Sequence, residues 1–224
     1  MPGRLFVVGT PIGNLDDITL RAIRVLGEVE AVACEDTRRT GKLLNKLGIR
    51  KPLISYYQPR EGRRIPEIVR ILEQGRDVAL VSDAGTPGIS DPGFPLVREA
   101  LRKGIPVVPI PGPSAVTAAL AVSGLPTHRF LFVGFPPPKA SGLRKCLGSL
   151  RGEGATLIFF LPTRRLGAFL TAVGESLGDR RVVVARELTK IHEEFIRGKA
   201  SEILALVERR ELKGEATVLV EGAN

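Results

Sequence analysis

The first half of this chain has a regular beat, and that beat limits its fold more than any other feature of the sequence. Short apolar runs near residues 4–8, 30–34, 52–55, 77–82 and 106–110 alternate with amphipathic runs near 17–26, 39–47, 64–74 and 94–103. Each amphipathic run closes on a glycine: Gly27, Gly48, Gly75 and Gly104. Glycine just past the last turn is the expected helix stop, because it enters the left-handed region without a Cβ penalty. In the first helical run Ile18, Ala22, Val25 and Leu26 fall on one face, with Asp16 or Asp17 placed to cap it. Strands alternating with helices through short links imply a mostly parallel sheet covered on both faces. The ligands of such sheets collect at the carboxyl ends of the strands.

The second half, from near Pro113, has a different texture. Ser114 opens a short helix, and strand patterns follow at 130–134, 155–161, 181–188, 191–197 and 216–221. Helical patterns lie near 139–150, 164–177 and 200–210. The runs 182–188 and 191–196 are separated by so few residues that they read as a hairpin, which makes this sheet mixed. The expected fold class is α/β with two small domains, 1–112 carrying the mostly parallel sheet and 113–224 the mixed one.

Composition removes several alternatives. A chain of 224 residues with 43% apolar content can bury a sizeable core, which excludes wholesale disorder. Cys34 and Cys146 stand far apart, and His128 and His192 are the only histidines, so neither a disulfide framework nor a metal site is expected. Cys34 reads as a core residue, Cys146 as a helix-face residue, and both histidines as structural or surface residues. Residues 105–127 carry no charge and are long enough to span a bilayer, but Pro106, Pro109, Pro111, Pro113 and Pro126 break the run into strand, loop and short helix. Met1 to Arg4 run straight into the strand-like Leu5 to Val8, leaving no room for a signal peptide. The expected location is the cytoplasm, with no membrane partner.

The formal charge of +9 is concentrated. Arg38, Arg39, Lys42, Lys46, Arg50, Lys51, Arg60, Arg63 and Arg64 face a single acid, Glu61, within their stretch. Arg129, Lys139, Arg144, Lys145, Arg151, Arg164 and Arg165 face only Glu153. Two such regions on a mildly acidic body look like a polyanion footprint, although a solvated basic surface has the same composition.

Three unusual loops follow strands: Gly9-Thr10-Pro11-Ile12-Gly13-Asn14, the whole stretch 82–93, and Pro111-Gly112-Pro113-Ser114-Ala115. None has the spacing of a phosphate loop or of a dinucleotide fingerprint. Glycines let backbone approach a ligand and prolines stiffen the loop, so three of them on one sheet edge suit a ligand with an apolar body and a few polar ends. A fourth segment, Glu35-Asp36-Thr37-Arg38-Arg39-Thr40, sets acids against arginines. It reads either as a salt-bridged helix start or as a corner where carboxylates handle a hydroxyl and arginines hold phosphate.

The run Val8 to Ala22 resembles the opening motif of the tetrapyrrole methylase superfamily. Glu35 to Arg38 with Thr40-Gly41, the loop 82–93, Pro111 to Ser114, Gly134-Phe135 with Lys139, Arg186 to Lys190, and Lys213 to Glu215 are similar to one branch of it, the RsmI-type small-subunit rRNA ribose methyltransferases. That resemblance implies two α/β domains, a homodimer, and S-adenosyl-L-methionine bound in a cleft between the domains. It also implies 2′-O-methylation of a decoding-centre cytidine, in naked rRNA or in the assembled small subunit. The implied cofactor residues are Pro11, Ile12, Asp83, Ala84, Thr86, Ser114, Ala115, Leu161, Ala185, Gly214, Glu215 and Ala216. Asp83 has its own physical motive, a carboxylate to answer the cofactor's positive charge. The candidates for the general base are Asp36, Glu35, Glu187 and Lys190. Glu35, Arg38, Arg39, Lys139, Arg144 and Arg165 are the implied RNA contacts. The chain departs from the branch at Leu161-Pro162-Thr163-Arg164-Arg165, at Gln58-Pro59-Arg60-Glu61 and in ending at Asn224. Three rivals remain: a methyltransferase acting on a tetrapyrrole or another small acceptor, a non-catalytic RNA-binding assembly module, and a phosphate-binding α/β enzyme.

Overall fold

The computed structural model describes residues 1–58 and 61–223. Arg60, counted above among the basic residues, lies outside the described residues, as do Pro59 and Asn224. The chain divides into two compact units, Met1–Ser114 and Ala115–Asn224.

The first unit runs β1 (Leu5–Val8), α1 (Leu20–Glu28), β2 (Ala31–Cys34), α2 (Thr37–Lys46), β3 (Leu53–Ser55), α3 (Glu61–Glu73), β4 (Val78–Val81), α4 (Phe94–Arg102) and β5 (Val107–Ile110). Its five strands pair in parallel in the order β3-β2-β4-β1-β5. Alternate residues serve opposite faces. Leu5, Ala31, Ala33, Val78 and Leu80 pack with Ile68, Val69 and Leu72 of α3 and with Leu96 and Ala100 of α4. Phe6, Val8, Val32, Cys34, Ala79 and Val81 pack with Ala22, Val25 and Leu26 of α1 and with Leu44 of α2. Because parallel crossovers are right-handed, a chain that moves one way through β1, β2 and β3 and back through β4 to β5 must put its helices on opposite faces. The reversal leaves β1 and β4 side by side with connections leading in opposite directions, which opens a crevice at their carboxyl ends.

Three of the four glycine stops hold: Gly48, Gly75 and Gly104 have φ of 71°, 81° and 68°. Gly27 does not. It lies inside α1, which continues to Glu28 and stops where Val29 turns extended and buries its side chain. The cap of α1 also differs from expectation. Thr19 accepts from the Ala22 N–H, while Asp16 and Asp17 belong to a separate 3-10 turn capped by Asn14. Residues 105–127 form β5, a loop, a short helix and a further loop, and no helix among the described residues is long and apolar enough to cross a membrane.

The second unit runs α5 (Ala115–Ala121), β6 (Phe130–Gly134), α6 (Ala140–Ser149), β7 (Thr156–Pro162), α7 (Leu166–Leu177), β8 (Arg181–Arg186), β9 (Glu194–Lys199), α8 (Ala200–Arg209) and β10 (Glu215–Val220). The sheet order is β6-β7-β10-β8-β9, with β6 parallel to β7 and every other pair antiparallel, the mixed sheet expected. Leu157, Phe159, Leu161, Val182, Val184, Val218 and Val220 form the face that α6, α7 and α8 cover. The β8–β9 hairpin is looser than its sequence implies. Pairing ends at Arg186↔Glu194, because Glu187 and Thr189 take left-handed conformations (φ 50° and 64°) and leave the ladder.

Candidate functional site

The glycine- and proline-rich loops of the first unit gather on the carboxyl edge of its sheet. Thr10 and Gly85 exchange two main-chain hydrogen bonds, Thr10 N–H to Gly85 O at 2.9 Å and Gly85 N–H to Thr10 O at 3.0 Å, tying the loop after β1 to the loop after β4. The buried Thr10 hydroxyl donates to the Ser82 carbonyl at 3.2 Å. Gly85 and Gly88 sit at φ 81° and 84°, and Ser90 joins them at 62°, so loop 82–93 is wound tightly enough to expose Ala84 while burying Gly93. A Cβ added to Gly9 would stand 2.8 Å from the Gly112 Cα, and one added to Gly112 would stand 2.8 Å from the Gly9 carbonyl oxygen. The loops after β1 and β5 therefore touch backbone to backbone, a contact that only two glycines allow. Pro11, Ile12, Thr86 and Ser114 are part-buried along this edge, with the Ile12 side chain 3.6 Å from where a Gly85 Cβ would lie, and Ala115, the first residue of the second unit, is part-buried too.

Beside this apolar edge stands a polar corner. The Asp83 carboxylate accepts from the Asp36 N–H at 3.2 Å and pairs with the Arg39 guanidinium at 3.2 Å. Asp36 is the N-cap of α2, its Oδ1 accepting from the N–H groups of Arg38 (2.7 Å) and Arg39 (3.4 Å). Those bonds, the Arg38 one first, outweigh desolvation and hold its carboxyl below the usual aspartate range. Of the two readings left open for this segment, the helix start describes Asp36. A carboxylate so stabilised as an anion is a weak proton acceptor, which counts against Asp36 as the general base. Its neighbour Glu35 differs. Burial pushes the Glu35 carboxyl up, and Asp83, Asp91 and Asp36 push the same way against the pull of Arg39. Asp91 is raised too, by burial first and by Asp83, while a hydrogen bond with Ser82 works against the shift. Asp91 was not singled out from sequence; its only signal there is its place inside the quoted loop. Among the described residues no group of three or more His, Cys, Asp or Glu side chains is arranged to hold a metal ion.

In the second unit, Leu161, Ala216 and Arg186 lie in register across β7, β10 and β8. The Leu161 and Ala216 side chains belong to the core beneath the helices, so only their main chain is available to a ligand; Ala185 is likewise buried. Glu187 folds its side chain across Gly214, where a Cβ would overlap its carboxylate. There Glu187 Oε1 accepts from the Glu215 N–H at 3.0 Å and from the Lys190 ammonium at 2.9 Å. Burial pushes the Glu187 carboxyl up, yet the Glu215 N–H, Lys190 and Arg186 together hold it below the usual range. Lys190 also lies 3.8 Å from the Glu215 carboxylate, so acting as a neutral base would require it to leave two partners. The structure gives Glu187 and Lys190 a shared task, closing the 187–190 turn against Gly214 and Glu215.

The basic regions separate into two kinds. Arg165 donates to the carbonyls of Pro136 (3.3 Å) and Pro137 (2.6 Å), and Arg144 pairs with Glu175 at 2.7 Å. Both were expected to grip RNA; here Arg144 sits in an exposed ion pair and Arg165 is held by main-chain carbonyls of its own unit. Arg129 faces Glu153 at 3.9 Å, while Lys139 is exposed at the start of α6. Along α2 and the segment after it, Arg38, Lys42, Lys46 and Arg50 are exposed and Lys51 half-buried, and none of the five forms an ion pair among the described residues. Cys34 is fully buried with its thiol pushed up to about 11, first by desolvation, and both histidines are exposed.

Comparison with known proteins identifies the family and the fold. Residues 4–204 match the family model described as Tetrapyrrole (Corrin/Porphyrin) Methylases. A Thermotoga maritima protein named Ribosomal RNA small subunit methyltransferase I is 50% identical over 220 residues, covering 98% of this chain and 99% of its own. A protein of the same name from Escherichia coli O157:H7 is 46% identical over 223 residues, covering 98% of this chain and 78% of its own. Among solved structures, a uroporphyrin-III-C-methyltransferase from Thermus thermophilus superposes with a TM-score of 0.69 at 24% identity, covering 98% of this chain and 94% of the other, a likeness of fold.

Proposed function

The chain belongs to the tetrapyrrole (corrin/porphyrin) methylase family, and from that premise we propose that it methylates the ribose 2′-oxygen of a decoding-centre cytidine in small-subunit rRNA, using S-adenosylmethionine. The observation that carries this reading is the placement, within one unit, of a glycine-proline edge whose charged groups are the Asp83 and Asp91 carboxylates against a helix on which Arg38, Lys42 and Lys46 form no ion pair among the described residues. A small acidic acceptor such as a tetrapyrrole needs the first and has little use for the whole length of the second.

The residues present fit the cofactor. Ile12 and the stiff 82–88 and 111–114 loops offer an apolar bed with main-chain polar groups at its margin, and Asp83 offers a carboxylate to the cofactor's positive charge or hydroxyls. When bound, the cofactor supplies its own electrophile, a sulfonium methyl, so no covalent nucleophile is required of the chain. This chain then has to hold the acceptor oxygen in line and take its proton. Arg38 and Arg39 at the start of α2 stand next to that edge and are suited to the phosphates on either side of the target nucleotide.

Removing the Asp83 carboxylate should cost one charge-assisted interaction. Asp83→Ala is expected to weaken cofactor affinity about 10- to 100-fold, measured by calorimetry on a variant whose circular dichroism matches the parent. Unchanged affinity would take Asp83 out of the site. The RNA surface has its own signature. In Lys42→Ala/Lys46→Ala the dependence of log affinity on log salt should become shallower by roughly 0.7–0.9 per lost phosphate contact, whereas Arg144→Ala, already paired with Glu175, should leave the slope unchanged. The reverse pattern would move the footprint to the second unit.

The reaction itself is tested by incubating the protein with methyl-labelled cofactor and unmethylated small subunits, then digesting the rRNA to nucleosides. Label in 2′-O-methylcytidine supports the reading. Cofactor binding with no labelled ribose redirects it to a small-molecule acceptor, and salt-sensitive RNA binding without any transfer favours an assembly module.

A further inference from the structure

We propose that Glu35 is the general base that takes the proton from the acceptor hydroxyl, an inference that rests on the methyltransferase reading above. Glu35 follows the last residue of β2, and β2 pairs with β4 so that Cys34 lies opposite Val81. That register sets Glu35 at the carboxyl edge, beside the start of the 82–93 loop. Its carboxyl accepts no hydrogen bond and joins no ion pair among the described residues. Every other acid or base candidate is engaged. Asp36 caps α2, Asp83 holds Arg39 and the Asp36 N–H, Asp91 bonds with Ser82, and Glu187 and Lys190 hold each other across Gly214. Of these carboxylates, Glu35 alone has no donor on either oxygen among the described residues.

Its surroundings suit the task. Glu35 faces Asp36 and Arg39 from the α2 side and Asp83 and Asp91 from the β4 side, three carboxylates against one guanidinium. Half-buried and crowded by negative charge, it holds a proton more readily than an exposed glutamate, and a stronger base is what a weakly acidic ribose hydroxyl requires. The step balances. The hydroxyl oxygen forms its bond to the sulfonium methyl, the carbon–sulfur bond breaks with its electron pair going to sulfur, and the hydroxyl proton passes to the Glu35 carboxylate.

The consequence for stability has a definite sign. Because the folded protein raises the Glu35 proton affinity, ionising Glu35 costs stability, and that cost appears as pH rises through its folded value. Glu35→Gln removes the cost. At neutral pH its melting temperature should therefore not fall, whereas removing a carboxylate that held the fold together would lower it.

The experiment is single-turnover methyl transfer to small subunits, with cofactor and RNA saturating, across pH 5 to 9 for the parent, Glu35→Gln and Glu35→Asp. Glu35→Gln should lose about 10²- to 10⁴-fold in rate while its separately measured affinities for cofactor and RNA stay those of the parent. The parent's rate should rise with pH through the Glu35 ionisation, that limb should vanish in Glu35→Gln, and Glu35→Asp should recover part of both. A Glu35→Gln rate equal to the parent's overturns the proposal, as does a deficit that appears wholly in RNA affinity. If the parent itself transfers no label to ribose, the functional reading fails first and the base fails with it. Transfer by the parent with an indifferent Glu35→Gln removes the base alone.

Discussion

Gly9→Ala is expected to cost about 3 kcal/mol of folding stability and to impair cofactor binding in whatever fraction still folds. The added Cβ would stand 2.8 Å from the Gly112 Cα and 3.0 Å from its nitrogen. Neither atom is the free end of a side chain; both belong to the backbone of the loop that follows β5. Since β1 and β5 are hydrogen-bonded neighbours, with Val8 opposite Ile110, that loop cannot swing away without disturbing the last residues of the ladder. The Gly9 N–H bond to the Ile110 carbonyl, 3.1 Å, would be among the first to lengthen. Gly27→Ala is the matching control. It sits inside α1 and a Cβ there meets nothing within 4 Å, so alanine should stabilise by roughly 0.5–1 kcal/mol. Urea unfolding of both variants, with cofactor titration of the folded protein, separates the two expectations. A Gly9→Ala protein with parental stability and affinity would mean that the loops after β1 and β5 are not held in contact.

Phe159→Ala carries the other large effect, about 3–5 kcal/mol. Phe159 is fully buried at the middle of β7, and its ring meets that of Phe169 on α7 edge-to-face at 5.0 Å. Truncation would leave a cavity between the sheet and the helices that the surrounding strands cannot collapse to fill, because β7 is paired on both sides, by β6 and by β10. The loss of the aromatic pair adds about 0.5–1.5 kcal/mol. For a unit of this size the melting temperature should fall by more than about 10 °C. Phe160, next in sequence, points to the opposite face and is only half-buried against Phe132 and Phe135, so Phe160→Ala should cost clearly less. Equal losses from the two variants would mean that the helix-covered face is not the principal core of this unit.

Several features of this protein were legible without coordinates because they depend on neighbours in sequence. Short apolar runs bounded by turn residues located the ten strands found among the described residues, since such runs are a local property of the sequence. Gly48, Gly75 and Gly104 announced helix ends because a left-handed residue is a local requirement. Gly27 failed as a stop because buried Val29 decided where α1 ended, and burial is a tertiary matter. Asp16 and Asp17 lost the cap to Thr19 because a 3-10 turn intervened, something composition alone does not register.

The candidate site divides along the same line. Glycine and proline marked the loops after β1, β4 and β5 as unusual, because those residues act on their own backbone. Residue type named Glu35, Asp36, Glu187 and Lys190 as possible bases, but type does not say which of them is already spoken for. Only the fold brought Asp83 to Arg39, Glu187 across Gly214 and Arg165 to the carbonyls of Pro136 and Pro137. By itself, then, the sequence determined the elements, the stiff loops and the stock of charged groups. The tertiary structure decided which charges are consumed in holding the protein together and which remain for a substrate. The reason is that a carboxylate's partner is set by strand order and crossover direction, which place residues dozens of positions apart within hydrogen-bond reach and which no local propensity encodes.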